Sequence, residues 1–274
     1  MRFLRIITAI IFILSLVFSG WANNQYYSNL NTDYPELTSS VETLEISVRD
    51  SDKAIYRGLT AYDATDGDLT DQIMIASISH FFEPGTVRVK YVVFDEHNNS
   101  TTLTRKVHYT DYEPPVFSLD KAPVYTVGSS FDLLSQIRVE DCIDGDISDR
   151  VRVITNMVNN YSVGNYPVVL EVSNSCGDTA QITLWVSYEN KESTAIVKLH
   201  RYIVYVEKGE SFEPRQWIAS VTDQDAAALD ADKIEIQGNL DVNAPGCYQL
   251  IYSYEDDTNS GYAPLTVVVT EGQG

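Results

Sequence analysis

Through most of this chain, apolar and polar residues alternate at every second position, the mark of strands with one face buried. The alternation is clearest in three glycine-led runs: TVRVKYVVFD after Pro84-Gly85, NYPVVLEVSN after Val163-Gly164, and CYQLIYSYED after Pro245-Gly246. Counted from each glycine, the inward set is Val87, Val89, Tyr91 and Val93, then Tyr166, Val168, Leu170 and Val172, then Tyr248, Leu250, Tyr252 and Tyr254. Asp95, Asn174 and Asp256 follow, polar where each strand should end. LEISV (45–49), APVYTVG (122–128) and YIVYVEKG (202–209) read as early strands, and TLTRKVHY (102–109), QITLWVSY (181–188) and APLTVVVT (263–270) as closing ones. Within these repeats only 225–229, in the run DAAALD, is a short helical candidate.

A second pattern is laid over the strands. Residues 63–71 read DATDGDLTD and residues 141–149 read DCIDGDISD. One acidic turn recurring at a fixed offset means tandem copies of one fold. With about 75–80 residues per copy, small but workable for a sandwich, the expected organisation is a linker at 23–34 and modules at 35–110, 111–189 and 190–274. Junctions fall near 111–115 (DYEPP) and 189–194 (ENKEST). Module three diverges, with Asp223 opening DQDAAALD in place of the DGD turn.

The glycine-led strand, the D-x-x-D-G-D-[LI]-[ST]-D turn and the Tyr/Val-rich strand ending in Asp together resemble the bacterial immunoglobulin-like repeat of the pesticidal-crystal-protein type, akin to hyalin-type repeats. The resemblance spans roughly residues 35–271, and module three keeps KGESF (208–212) and the Ala244-Pro245-Gly246 lead. It implies an all-β chain of three tandem Ig-like β-sandwich modules after an N-terminal hydrophobic helix. It also implies a spacer or adhesion role on a bacterial surface.

Residues 1–22 stand apart. Two arginines in the first five residues precede an apolar run to Ala22. This reads as a cleaved signal peptide or a retained N-terminal membrane anchor, and both place the remainder outside the cell, secreted or at the surface. Trp21 at the far end suits an anchor and the small Gly20 and Ala22 suit cleavage. The formal net charge is −20, which argues against nucleic acid as a partner, because phosphate binding needs a basic surface.

The acidic turns are the main candidate chemistry. Oxygen-rich loops with a central glycine suit Ca²⁺, and also serve as plain turns. In an Ig-like sandwich the turn and the loop after the sixth strand share a pole, together with the segment where the chain comes in. Module two would gather Asp141, Asp144, Asp146 and Asn174 with Asp111 and Glu113 of the incoming segment, as a possible Ca²⁺ site. Module one would gather Asp63, Asp66, Asp68 and Asp95. His97 lies near enough for a site with Asp63, although a solvated loop histidine is the simpler reading. The same topology would let Cys142 and Cys176 form a disulfide, with Cys247 a free thiol. No H-E-x-x-H, paired Cys-x-x-Cys or G-x-S-x-G is present. The expected role is therefore a non-catalytic extracellular surface protein, a spacer, adhesion or protein-interaction array whose partner is a cell-surface protein or glycan. Alternatives are a glycan-binding array, carried by exposed tyrosines such as Tyr34, or an accessory subunit of a secreted hydrolase.

Overall fold

In the computed structural model, residues 2–28, 33–130, 132–190 and 193–272 are described. Residues 29–32 of the expected linker and 191–192 of the second junction lie outside them. Helix α1 spans Arg2–Ser28, so residues 23–28 are helical rather than linker. No proline or glycine interrupts them, and each residue added to a formed helix gains a backbone bond. Among the described residues no helix is long and apolar enough to cross a membrane, so the anchor reading has no support there.

The three modules repeat one plan of paired sheets. Module one contains β1 (Glu36–Ser39), β2 (Thr43–Ile46), β3 (Leu59–Asp63), β4 (Gly67–Asp68), β5 (Met74–Ile78), β6 (Thr86–Phe94) and β7 (Ser100–Tyr109). Its sheets are β1-β3-β4 and β2-β7-β6-β5. The chain switches sheets between β1 and β2, so β2 runs parallel to β7 while the other neighbours are antiparallel. Module two repeats this with β8 (Val116–Leu119), β9 (Val124–Thr126), β10 (Ile137–Asp141), β11 (Gly145–Asp146), β12 (Arg152–Asn156), β13 (Gly164–Ser173) and β14 (Thr179–Glu189). Its sheets are β11-β10-β8 and β12-β13-β14-β9.

Module three has β15 (Ala195–Leu199), β16 (Ile203–Glu207), β17 (Ile218–Asp223), β18 (Glu235–Gly238), β19 (Gly246–Glu255) and β20 (Ser260–Thr270). The sheets are β15-β17 and β16-β20-β19-β18. In place of the short strand after the acidic turn there is a single bridge, Thr222 to Ala228. The helix expected over 225–229 does not form. The Asp223 carboxylate takes the backbone N–H groups of Asp225 and Ala227, and the Leu229 N–H goes to Val221 O, which holds the segment as a turn against β17. These are Ig-like β-sandwiches.

The glycine-led strands form the cores as their periodicity requires. Val87, Val89, Tyr91 and Val93 are fully buried, as are Val168, Leu170 and Tyr252. Opposite Val89 in β7 lies a residue the pattern does not announce, Arg105, only 4% exposed. Neutral oxygens satisfy its guanidinium: Nη2 donates to Ile55 O (2.7 Å), Nη1 to Arg57 O (2.8 Å) and Ser39 Oγ (3.1 Å), and Nε to Tyr91 Oη (3.3 Å).

The chain divides into two compact units, Met1–Thr110 and Asp111–Gly274. Within the second, modules two and three share packing. Ile203 of module three belongs to module two's buried cluster, with Cys247 and Val268 against it, and Ala122 packs on module three's cluster. The Phe117 N–H donates to Tyr205 Oη at 2.9 Å, Thr183 N–H to Cys247 Sγ at 3.4 Å, and the Asn165 and Gln249 amides hydrogen-bond.

Candidate functional site

At the pole of modules one and two, the acidic turn meets the loop that joins the long hairpin strands. In module one the Asp63 carboxylate folds back on its own turn, Oδ1 accepting from Thr65 N (2.8 Å) and Asp66 N (3.0 Å). Gly67 supplies the positive φ (80°) that lets the chain reverse. Across the pole, Asp95 Oδ1 accepts from His97 N (2.9 Å) and Asn99 N (2.7 Å), and Oδ2 from Asn99 Nδ2 (2.7 Å). Asp66 Oδ2 accepts from Glu96 N (2.9 Å), tying the two loops together. Burial works to raise the Asp95 carboxyl, but the bonds from Asn99 and His97 outweigh it and hold it below the ordinary carboxylate value. Asp68 faces the other way and caps Thr70 N at 2.9 Å.

Module two repeats the frame with other side chains. Asp141 Oδ1 accepts from Ile143 N (2.9 Å) and Asp144 N (2.8 Å), and Oδ2 from Asn174 Nδ2 (3.1 Å). Asp144 bridges the loops through Ser175 N (2.7 Å) and Ser175 Oγ (2.6 Å), and takes the Arg150 guanidinium at 2.5 Å. Burial favours the neutral Asp144, yet the Ser175 bonds and Arg150 hold its carboxyl below the usual range. Asp146 turns away to Ser148 N (2.9 Å) and Ser148 Oγ. Of the incoming segment, it is Tyr112, between Asp111 and Glu113, that enters the pole. Its hydroxyl donates to Asp178 Oδ2 (2.5 Å) and accepts from Asn174 Nδ2 (3.0 Å). Burial and the adjacent Asp178 push the Tyr112 hydroxyl far above its ordinary value.

The structure thus brings Asp141, Asp144 and Asn174 together and leaves Asp146 outside. Both oxygens of Asp141 and of Asp144 have protein donors, so a Ca²⁺ ion here would have to displace Arg150. Arg150 and Tyr112 went unnoticed in the sequence. Laying the two acidic turns side by side identifies the first, because Arg150 follows DISD where Gln72 follows DLTD.

Cys142, Cys176 and Cys247 are free thiols, so the Cys142–Cys176 bridge is not formed. Cys142 Sγ instead donates to Glu113 O (3.1 Å) and accepts from Glu113 N (3.4 Å), and burial raises both the Cys142 and the Cys176 thiol above the ordinary value. Among the described residues, the group with metal-ligand spacing lies in module one: Asp66, Asp95 and His97.

Residues 202–268 match the family described as bacterial surface protein, Ig-like domain. The chain is similar to pesticidal crystal protein Cry22Aa of Bacillus thuringiensis, 26% identical over 207 residues that cover 73% of this chain and 28% of that protein. It is also similar to an 81.3 kDa protein of Acholeplasma phage L2, 29% identical over 149 residues, 52% of this chain and 20% of that protein. The chain thus spans a quarter or so of the length of these relatives. Solved structures that resemble it include Drosophila N-cadherin EC1-3, 12% identical, covering 85% of this chain and 98% of that one at a TM-score of 0.30. The M60 catalytic domain of Clostridium perfringens ZmpB with its CBM51 domains is 13% identical, covering 88% of this chain and 31% of that one at a TM-score of 0.25. Scores this low leave the architecture resting on the chain's own sheets. Residues 202–268 are thus similar to the bacterial surface Ig-like domain, and two modules with the same pairing of sheets precede them.

Proposed function

We propose that this chain works without catalysis, as an extracellular array that holds a binding surface for a cell-surface protein or glycan in a fixed position. The observation that carries this reading is the docking of module three on module two. The Tyr205 hydroxyl, the Ile203 side chain and the Cys247 thiol all engage module two. A pair of sandwiches joined this way holds its orientation, as a spacer or a presenting head requires. The bacterial surface Ig-like match supports the location. The carboxylates that could pair for acid–base chemistry in module two are taken up by structural donors.

The test is to treat intact cells producing the full chain with protease, and to measure binding of the purified chain to cell-surface protein and glycan arrays. Surface cleavage with saturable binding is the expected outcome. Hydrolytic turnover of an arrayed substrate, or a chain confined to the cytoplasm, overturns the reading.

A further inference from the structure

The poles of modules one and two differ in one chemical respect. Module two brings its own cation, the Arg150 guanidinium on Asp144. Module one has Gln72 at that place, a neutral side chain. Module two also answers Asp141 Oδ2 with the Asn174 amide at 3.1 Å. Module one has Asp95 at the position of Asn174, and a carboxylate has no N–H to give. The consequence is visible in Asp63, which is 1% exposed and whose Oδ2 has no hydrogen-bond partner. Asp63 Oδ1 takes the two turn amides just as Asp141 Oδ1 does, and in the register of the repeat Asp95 occupies the position from which Asn174 donates to Asp141 Oδ2. A buried carboxylate oxygen without a donor is costly, and a second carboxylate at the position of the donor cannot relieve it.

We propose that a divalent transition cation fills this place, held by Asp66, Asp95 and His97 with the Asp63 carboxylate behind them. Ligand atoms of Asp66, Asp95 and His97 all lie within 4.8 Å of one another. The Asp66 carboxylate is already fixed across the pole by Glu96 N, and Asp95 by His97 N and Asn99, which is the outer-shell support that orients metal ligands. His97 is exposed, and its imidazole supplies the nitrogen ligand that binds Zn²⁺ at ~2.0–2.1 Å. Carboxylates joined by an imidazole select the Zn²⁺ or Mn²⁺ class over Ca²⁺, which prefers an all-oxygen shell. His97 stands where module two has Cys176, so the imidazole belongs to the one pole that lacks a built-in cation.

The variant that decides this is Asp95→Asn. It installs the Asp/Asn pair of module two and gives Asp63 Oδ2 a donor, so the module stays folded without metal. The experiment is calorimetric titration of Zn²⁺, and separately Ca²⁺, into the chelator-treated, tag-free full chain and its Asp95→Asn and His97→Ala variants. The wild type is expected to bind one more Zn²⁺ than Asp95→Asn, with affinity reduced roughly tenfold or more in His97→Ala. With Co²⁺ as the probe, a visible absorption band present in the wild type should be lost in both variants. Equal Zn²⁺ binding by wild type and Asp95→Asn overturns the proposal, as does a site that takes Ca²⁺ and not Zn²⁺. Loss of folding in Asp95→Asn leaves the decision to His97→Ala, an exposed loop change, whose unaltered Zn²⁺ binding also overturns it.

Discussion

Replacing Arg105 by Met should destabilise module one selectively. The guanidinium joins the end of β1 (Ser39), the segment before β3 (Ile55 and Arg57) and the β6 tyrosine Tyr91, and it is buried. Met keeps much of the volume and removes all of these bonds. Ile55 O keeps a donor, the Tyr91 hydroxyl at 2.6 Å, but Arg57 O loses the Arg105 bond. Hydrogen bonds to a charged group contribute about 1.5–3 kcal/mol each and an orphaned carbonyl costs about 1–3 kcal/mol. The desolvation of the guanidinium is recovered on substitution and offsets part of this. The net expectation is a loss of about 3 kcal/mol, against a stability on the order of 4–11 kcal/mol for a module of this size. Such a loss lowers the melting temperature by roughly 10 °C or more. Arg105→Lys should fall between, since an ammonium cannot fork to several carbonyls in one plane. Module one contains no tryptophan, so fluorescence would miss the effect. The assay is hydrogen exchange of the β6 and β7 amides, with calorimetry for the transition. Exchange free energies within about 0.5 kcal/mol of wild type would show that Arg105 is a tolerated passenger and refute the reasoning.

Other outcomes follow from the same geometry. Tyr205→Phe leaves the Phe117 N–H without its acceptor, and that amide should exchange roughly tenfold faster, in line with a loss of about 1–2 kcal/mol. Burial first of all pushes the Tyr205 hydroxyl up to about 12. Its contribution should therefore be complete below pH 10 and lost as the pH rises toward 12, read as a falling melting temperature of the 111–274 unit. In acid the sign reverses. Asp95, Asp144 and Asp256 are held below the ordinary carboxylate value, so their stabilisation is present above about pH 4 and lost as the pH falls further. A melting temperature that stays flat from pH 6 to 2 would contradict this. At Gly261 in β20 an added Cβ would come within 1.9 Å of Ala195 O. Gly261→Ala should therefore force β15 away and cost about 2 kcal/mol or more in denaturant unfolding.

The repeat carries a constant frame with variable contents. Positions equivalent to Asp63 accept two turn amides in all three modules, through Asp63, Asp141 and Asp223. What faces them differs. Module two presents Asn174 and Arg150, and module three presents Asp256, which is satisfied by the Tyr254 hydroxyl at 2.7 Å and by Thr258 and Asn259 amides. Module one presents Asp95, which His97 N and the Asn99 amides satisfy while Asp63 Oδ2 is left without a donor. One fold thus meets the same electrostatic problem with an amide and a guanidinium in module two and with a phenol in module three.

Period-two alternation by itself determined the strands, their inward faces and the three modules, because which face of a strand is buried is a local property read two residues at a time. Val89, Leu170 and Tyr252 lie in the cores for that reason. The repeated DGD turn likewise announced a shared pole. Local pattern misled where the deciding partner is distant in sequence. Alternation cannot tell that a guanidinium at position 105 can be buried, because the acceptors that satisfy it at Ile55, Arg57 and Ser39 lie 48 or more residues upstream. Counting acids favoured module two as the cation pole. Only the tertiary structure placed Arg150 on Asp144 and left the buried Asp63 Oδ2 with no donor, since the charge balance of a buried carboxylate depends on which side chains the fold brings against it.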